Sequence, residues 1–138
     1  MSMKVLIIDS DWRFVERVRE YLEGFGHYVV HQLDAKKALQ QVSKWRPDII
    51  MVDCAIEACF NGDLLQVFGR LIPRPAVLLT SYMDDFQKAW RAWQHGGDEL
   101  LFKPILHISE LHTAIITAMR NASCPSARPR ASRLALSA

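Results

Sequence analysis

Three short, unbroken apolar runs constrain this chain more than any other feature: KVLII at Lys4 to Ile8, the IIMV of Asp48 to Val52, and AVLL at Ala76 to Leu79. A strand that is apolar on both faces has to be covered on both faces, so these runs belong inside a layered sheet. Between them lie segments whose apolar residues recur at helical spacing. Asp11 is a good N-cap for a helix carrying Phe14, Val18, Tyr21, Leu22 and Phe25 and ending near Gly24 and Gly26. His27 to Leu33 reads as a second strand. Asp34 caps a helix with Ala35, Ala38, Leu39, Val42 and Trp45 on one face, stopped by Pro47.

The stretch CAIEACFNG after Asp53 reads as a loop, followed by a short helix with Leu64, Leu65, Phe68 and Leu71. Asp84 to His95 reads as a helix closed by Gly96 and Gly97, Glu99 to Phe102 as the last strand, and a final helix from about Ser109 carries Leu111, Ala114, Ile115, Ala118 and Met119. Five strands alternating with five helices predict an α/β fold, a parallel sheet with helices on both faces joined by right-handed crossovers.

Composition sets limits around that reading. The chain has 138 residues, half of them apolar, with no uncharged stretch near the roughly 20 residues a membrane span needs. It reads as one soluble domain, 1–122, without a secretion signal, followed by a flexible basic tail or linker remnant, 123–138. The net charge is +2; setting aside Arg128, Arg130 and Arg133 of the tail leaves −1, which predicts no nucleic-acid surface on the domain. Cys54, Cys59 and Cys124 are an odd number without zinc spacing, which predicts a reducing, cytoplasmic setting; a redox pair of Cys54 and Cys59 is the alternative.

In an open parallel sheet, ligands sit beyond the carboxyl ends of the strands. There the sequence brings Asp9, Ser10 and Asp11 after strand one, Asp53 after strand three, Thr80 and Ser81 at strand four, and Lys103 before Pro104 at strand five. Clustered carboxylates call for a hard cation, and Mg2+ takes carboxylate, phosphate and water oxygens. A carboxylate can itself take a phosphoryl group, with a hydroxyl and a lysine on the equatorial oxygens. The cluster therefore points to phosphoryl transfer.

KVLIIDSD, RPDIIMVD, AVLLTS, the Gly96 and Gly97 pair, and LLFKP together resemble the successive motifs of the receiver domain of two-component response regulators, in its chemotaxis-regulator-like form, from Lys4 to about Ala122. The resemblance implies a flavodoxin-like sheet of order 2-1-3-4-5. It implies that Asp53 accepts a phosphoryl group from a histidine kinase or phosphotransfer protein. Asp9, Asp53 and the Ala55 carbonyl would hold Mg2+, with Asp11 as a further candidate, and Thr80 and Lys103 would contact the phosphoryl group. It also implies a cis bond between Lys103 and Pro104, and a homodimer through the face formed by the fourth predicted helix, fifth strand and last helix. On that helix Ala89, Ala92 and Trp93 are expected to face the sheet, with Trp90 partly exposed.

The departures are specific. Ser10 stands where the family has a second acid, which predicts weak Mg2+ binding. Glu57 replaces a proline, the loop reaches Gly62 one residue late, and Leu100 replaces the switch aromatic, so a signal would leave by another route. Two other readings stay open. One is a receiver-like interaction module with little or no phosphorylation. The other is a haloacid-dehalogenase-like phosphatase using Asp9 and Asp11, with Thr80 and Lys103 as later motifs; it lacks the acidic pair expected after the lysine, where only Glu110 stands.

Overall fold

The structure, a computed structural model, describes residues 2–124. Strands β1 (Lys4–Ile8), β2 (Tyr28–His31), β3 (Ile49–Asp53), β4 (Ala76–Tyr82) and β5 (Glu99–Lys103) form one parallel sheet in the order β2-β1-β3-β4-β5. The helices are α1 (Trp12–Gly24), α2 (Ala35–Trp45), α3 (Cys54–Phe60), α4 (Asp63–Arg70), α5 (Phe86–His95) and α6 (Ile108–Ser123), with one 3-10 turn at Met83–Asp85.

Alternation along the strands builds two cores. Val5, Ile7, Ile49, Met51 and Leu78 pack against α1 and α6. Leu6, Ile8, Ile50, Val52 and Leu79 face α2, α4 and α5, with Trp93 and Phe68 among the largest buried side chains. Each fully buried aliphatic contributes roughly 1.5–3 kcal/mol.

Two glycines are required by geometry. Gly97, at φ +92°, passes so close to Leu79 that a Cβ would lie 2.8 Å from Cδ1; at Gly62, φ +91°, a Cβ would lie 2.6 Å from His95 Nδ1.

Among the described residues six α-helices stand where five were expected. Cys54–Phe60, read as a loop, is helical: it contains no Gly or Pro, has good helix formers, and ends at Asn61 and Gly62, both at positive φ. The second strand is shorter than predicted, and the fourth runs on to Tyr82. Phe25, placed on the buried stripe, is instead the exposed residue that ends α1, its ring against Tyr21. The expected boundary at 122/123 falls inside the last turn of α6; the tail from 125 lies outside the described residues. The Lys103–Pro104 bond is cis, as expected, and so is Ile72–Pro73.

The opposite, amino-terminal edge of the sheet is fastened by a clamp that sequence reading did not find. Arg74 donates twice to Asp98, at 2.9 and 3.0 Å, and once to the Ala122 carbonyl at 3.3 Å. Asp98 also accepts the Val77 N–H, while Asn121 donates to the Asp98 carbonyl, both at 2.8 Å.

Candidate functional site

Four strand ends deliver Asp9, Asp53, Thr80 and Lys103 to one buried pocket, none more than 7% exposed. Register accounts for the meeting, since Asp53 pairs with Thr80 across β3 and β4, and Tyr82 with Lys103 across β4 and β5. The Lys103 ammonium lies 3.0 Å from Asp9 Oδ2 and 3.5 Å from Asp53 Oδ1. Asp9 is further held by the Asp11 N–H at 2.8 Å and the Thr80 hydroxyl at 3.4 Å. Its carbonyl meets His31 Nε2 at 2.7 Å, which ties the end of β1 to the end of β2.

Lys103 is also flanked by the rings of Tyr82, 4.7 Å away, and Phe14, 5.2 Å away. Aromatic faces attract a desolvated cation, so the ammonium is held by two carboxylates and two rings. Burial raises the Asp53 pKa above the usual carboxylate range, and the neighbouring Asp9 charge adds to this; Lys103 and the Ala55 N–H oppose it. A carboxylate kept in reserve by burial, with a cation beside it, is suited to bonding an electrophilic phosphorus.

The remaining expected residues are placed elsewhere. Ser10 is exposed. Asp11 caps α1, its Oδ1 accepting the Phe14 N–H at 3.3 Å, while its Oδ2 accepts the Tyr82 hydroxyl. Partial burial would raise its pKa, but the bonds from Tyr82 and Phe14 and the charge of Lys103 hold it below the usual range. The same bond pushes the Tyr82 phenol up to about 12. The Ala55 carbonyl belongs to the first turn of α3 and accepts Cys59 Sγ at 3.5 Å. Leu100 is half-buried against the second core. On α5, Ala89, Ala92 and Trp93 are buried and Trp90 is half-buried.

The donor set allows a test of fit to Mg2+. Two hard carboxylates, Asp9 and Asp53, share the pocket, whereas among the described residues no group of three Asp, Glu, His or Cys side chains is arranged to hold a metal. Mg2+ is commonly bound by one or two carboxylates with several waters retained, so the residues fit a water-rich site.

Glu57, noted in the sequence only as a departure, is buried on α3. Neither of its oxygens has a hydrogen bond of normal geometry. Burial pushes its pKa up to about 7, aided by Asp63 and opposed by the N–H groups of Gly62 and Leu65. It lines a cavity of about 50 Å³ with Asn61, Gly62, Lys88, Arg91 and His95, at the contact of α3 with α5. Cys54 and Cys59 are both free thiols; Cys54 is buried, which pushes its thiol up to about 12, while Cys59 is exposed. Among the described residues no helix is long and apolar enough to cross a membrane.

Comparison with known proteins agrees with this geometry. The chain is 26% identical over 118 residues to the heme response regulator HssR of Staphylococcus haemolyticus, covering 86% of this chain and 52% of that protein. It is also 26% identical over 104 residues to the DNA-binding response regulator MtrA of Mycobacterium tuberculosis, covering 75% of this chain and 45% of that one. It thus spans about half the length of the curated relatives it matches. A crystal structure of a response regulator from Chloroflexus aurantiacus shares its fold with a TM-score of 0.76 at 21% identity, covering 87% of this chain and 99% of that one. The family model of the response regulator receiver domain matches residues 5–116. With that match over most of its length, and with acid, hydroxyl and lysine meeting at the carboxyl edge of a 2-1-3-4-5 sheet, the chain belongs to the receiver domain family of two-component response regulators.

Proposed function

We propose that the chain receives a phosphoryl group on Asp53 from a phosphohistidine of a histidine kinase or phosphotransfer protein in the cytoplasm. Its role is regulatory, with no catalysis beyond its own modification and its reversal. The observation that carries this reading is the Lys103 ammonium lying within 3.5 Å of both buried carboxylates, Asp9 and Asp53. An Asp53 oxygen forms a bond to phosphorus as the phosphorus–nitrogen bond of the donor breaks, and the leaving imidazole keeps the electron pair and takes a proton from water. Lys103 and Thr80 then face the new phosphoryl oxygens as charge and hydrogen-bond donor. Asp9, Asp53 and the Ala55 carbonyl would hold Mg2+, weakly, and the ion would supply positive charge against the added phosphoryl oxygens.

The domain doing this is 1–122 with the final turn of α6. With Leu100 in β5 and α3 starting directly after Asp53, the contact of α3 with α5 is the route for the response, toward the surface of α5, the helix that carries Trp90, with β5 and α6. That face is the proposed surface for a homodimer or downstream target. The test is intact-mass analysis after incubation with a small phosphodonor and Mg2+. One added phosphoryl group, absent in Asp53→Asn, supports the reading. No addition under conditions that modify a control receiver favours the second reading, an interaction module, for which the neutral Ser10 and aliphatic Leu100 speak.

A further inference from the structure

Asp11 is the acid that a receiver carrying serine at position 10 would need as a replacement, since it lies two residues beyond Asp9. Both of its oxygens are nevertheless committed. Oδ1 accepts the Phe14 N–H at 3.3 Å and so caps α1, while Oδ2 accepts the Tyr82 hydroxyl. Tyr82 is the last residue of β4 and pairs in register with Lys103, whose ammonium sits 4.7 Å from the centre of its ring. One aromatic side chain therefore touches both Asp11 and Lys103.

We propose that Tyr82 is a positioning residue that holds Asp11 out of the cation site and leaves that site with the carboxylates of Asp9 and Asp53 alone. The inference rests on the reading of those two residues as the Mg2+ site. Its chemistry is a competition for one carboxylate oxygen. A phenol O–H and a divalent cation both seek Asp11 Oδ2, and the phenol is held in place by its strand and by the ammonium beneath its ring. Removing the hydroxyl while keeping the ring leaves Lys103 covered and Asp11 Oδ1 on the helix, but frees Oδ2. Weak Mg2+ binding then has two causes in this chain: a neutral residue at position 10, and an acid at position 11 that is present but occupied.

The experiment titrates Mg2+ into wild type, Asp11→Asn, Tyr82→Phe and the double variant. Binding is followed by fluorescence of the exposed Trp12 and by calorimetry, with circular dichroism as the check of fold. Asparagine can still cap α1, so Asp11→Asn should leave the Mg2+ dissociation constant unchanged. Tyr82→Phe should tighten it about tenfold, the lower end of what outer-shell residues change in metal affinity, and the double variant should lose that gain. The proposal is overturned if Asp11→Asn alone weakens binding, or if Tyr82→Phe binds no better than wild type, including the case in which neither binds. Asp9→Asn in the Tyr82→Phe background separates the two levels. Binding that survives there overturns Asp9 as a ligand, and with it the reading on which the proposal rests.

Discussion

Lys103 and Asp9 form an ion pair of 3.0 Å in which each side chain is only 1% exposed. Breaking a buried pair by removing one partner strands the other charge, at a cost of about 3–5 kcal/mol. Lys103→Met should therefore lower stability by that order at pH 7, measured by urea unfolding. Adding Asp9→Asn to Lys103→Met should recover part of it at pH 7.

Glu57 predicts a second pH dependence, of definite sign. Its carboxyl has a folded pKa of about 7, above its ordinary 4.5. Between those values the folded chain holds a proton that the unfolded chain has released, so stability is fullest below about pH 4.5 and falls as the pH rises toward 7. Glu57→Gln removes this dependence. At pH 8 the variant should be the more stable by up to about 3 kcal/mol, at 1.36 kcal/mol per pKa unit, and near pH 4 the difference should vanish. Chemical denaturation at intervals from pH 4 to 8 measures both ends. His95→Gln is the control for the imidazole in the same cavity.

The two tryptophans of α5 should separate folding from association. Trp93 is 1% exposed within the second core, so Trp93→Ala should cost about 3–5 kcal/mol. Trp90 is half-buried, and Trp90→Ala should leave the thermal midpoint within a few degrees while weakening any dimer seen by sedimentation. An unchanged sedimentation profile would remove Trp90 from the proposed interface.

Ser10→Asp should tighten Mg2+ binding, because a third carboxylate raises the charge that holds a hard cation. In the absence of metal the same change should destabilise the chain, since the new charge would lie beside Asp9 and Asp53. Thermal melts with and without Mg2+ should therefore shift in opposite directions relative to wild type. A melt that rises in both conditions would count against a shared site.

The pocket was legible in the sequence because a parallel sheet makes a simple promise: residues that end its strands meet. Asp9, Asp53, Thr80 and Lys103 were each identified by following an apolar run to its last residue. Tyr82 was missed because β4 continues beyond Thr80 and Ser81, and alternation gives no sign of where a strand's last residue turns its ring. The cap made by Asp11 Oδ1 was legible, but the commitment of its Oδ2 depends on that ring and has no local signal. The helix at Cys54–Phe60 was missed for a different reason: seven residues give too few turns for a periodic stripe, and only the lack of a breaker before Asn61 marked it. Arg74 and Asp98 stand 24 residues apart in separate connections, and nothing local to either one announces the other.

That clamp decides how the domain is mounted. Arg74 and Asn121 fasten the last turn of α6 to the amino-terminal edge of the sheet, while Asp53 lies at the carboxyl edge, a strand length of roughly 16 Å away at about 3.3 Å per residue. The peptide leaving Ser123 thus starts from the foundation of the molecule and not from its reactive rim. The end of α6 is thus anchored where the sheet begins, a full strand away from the pocket side chains.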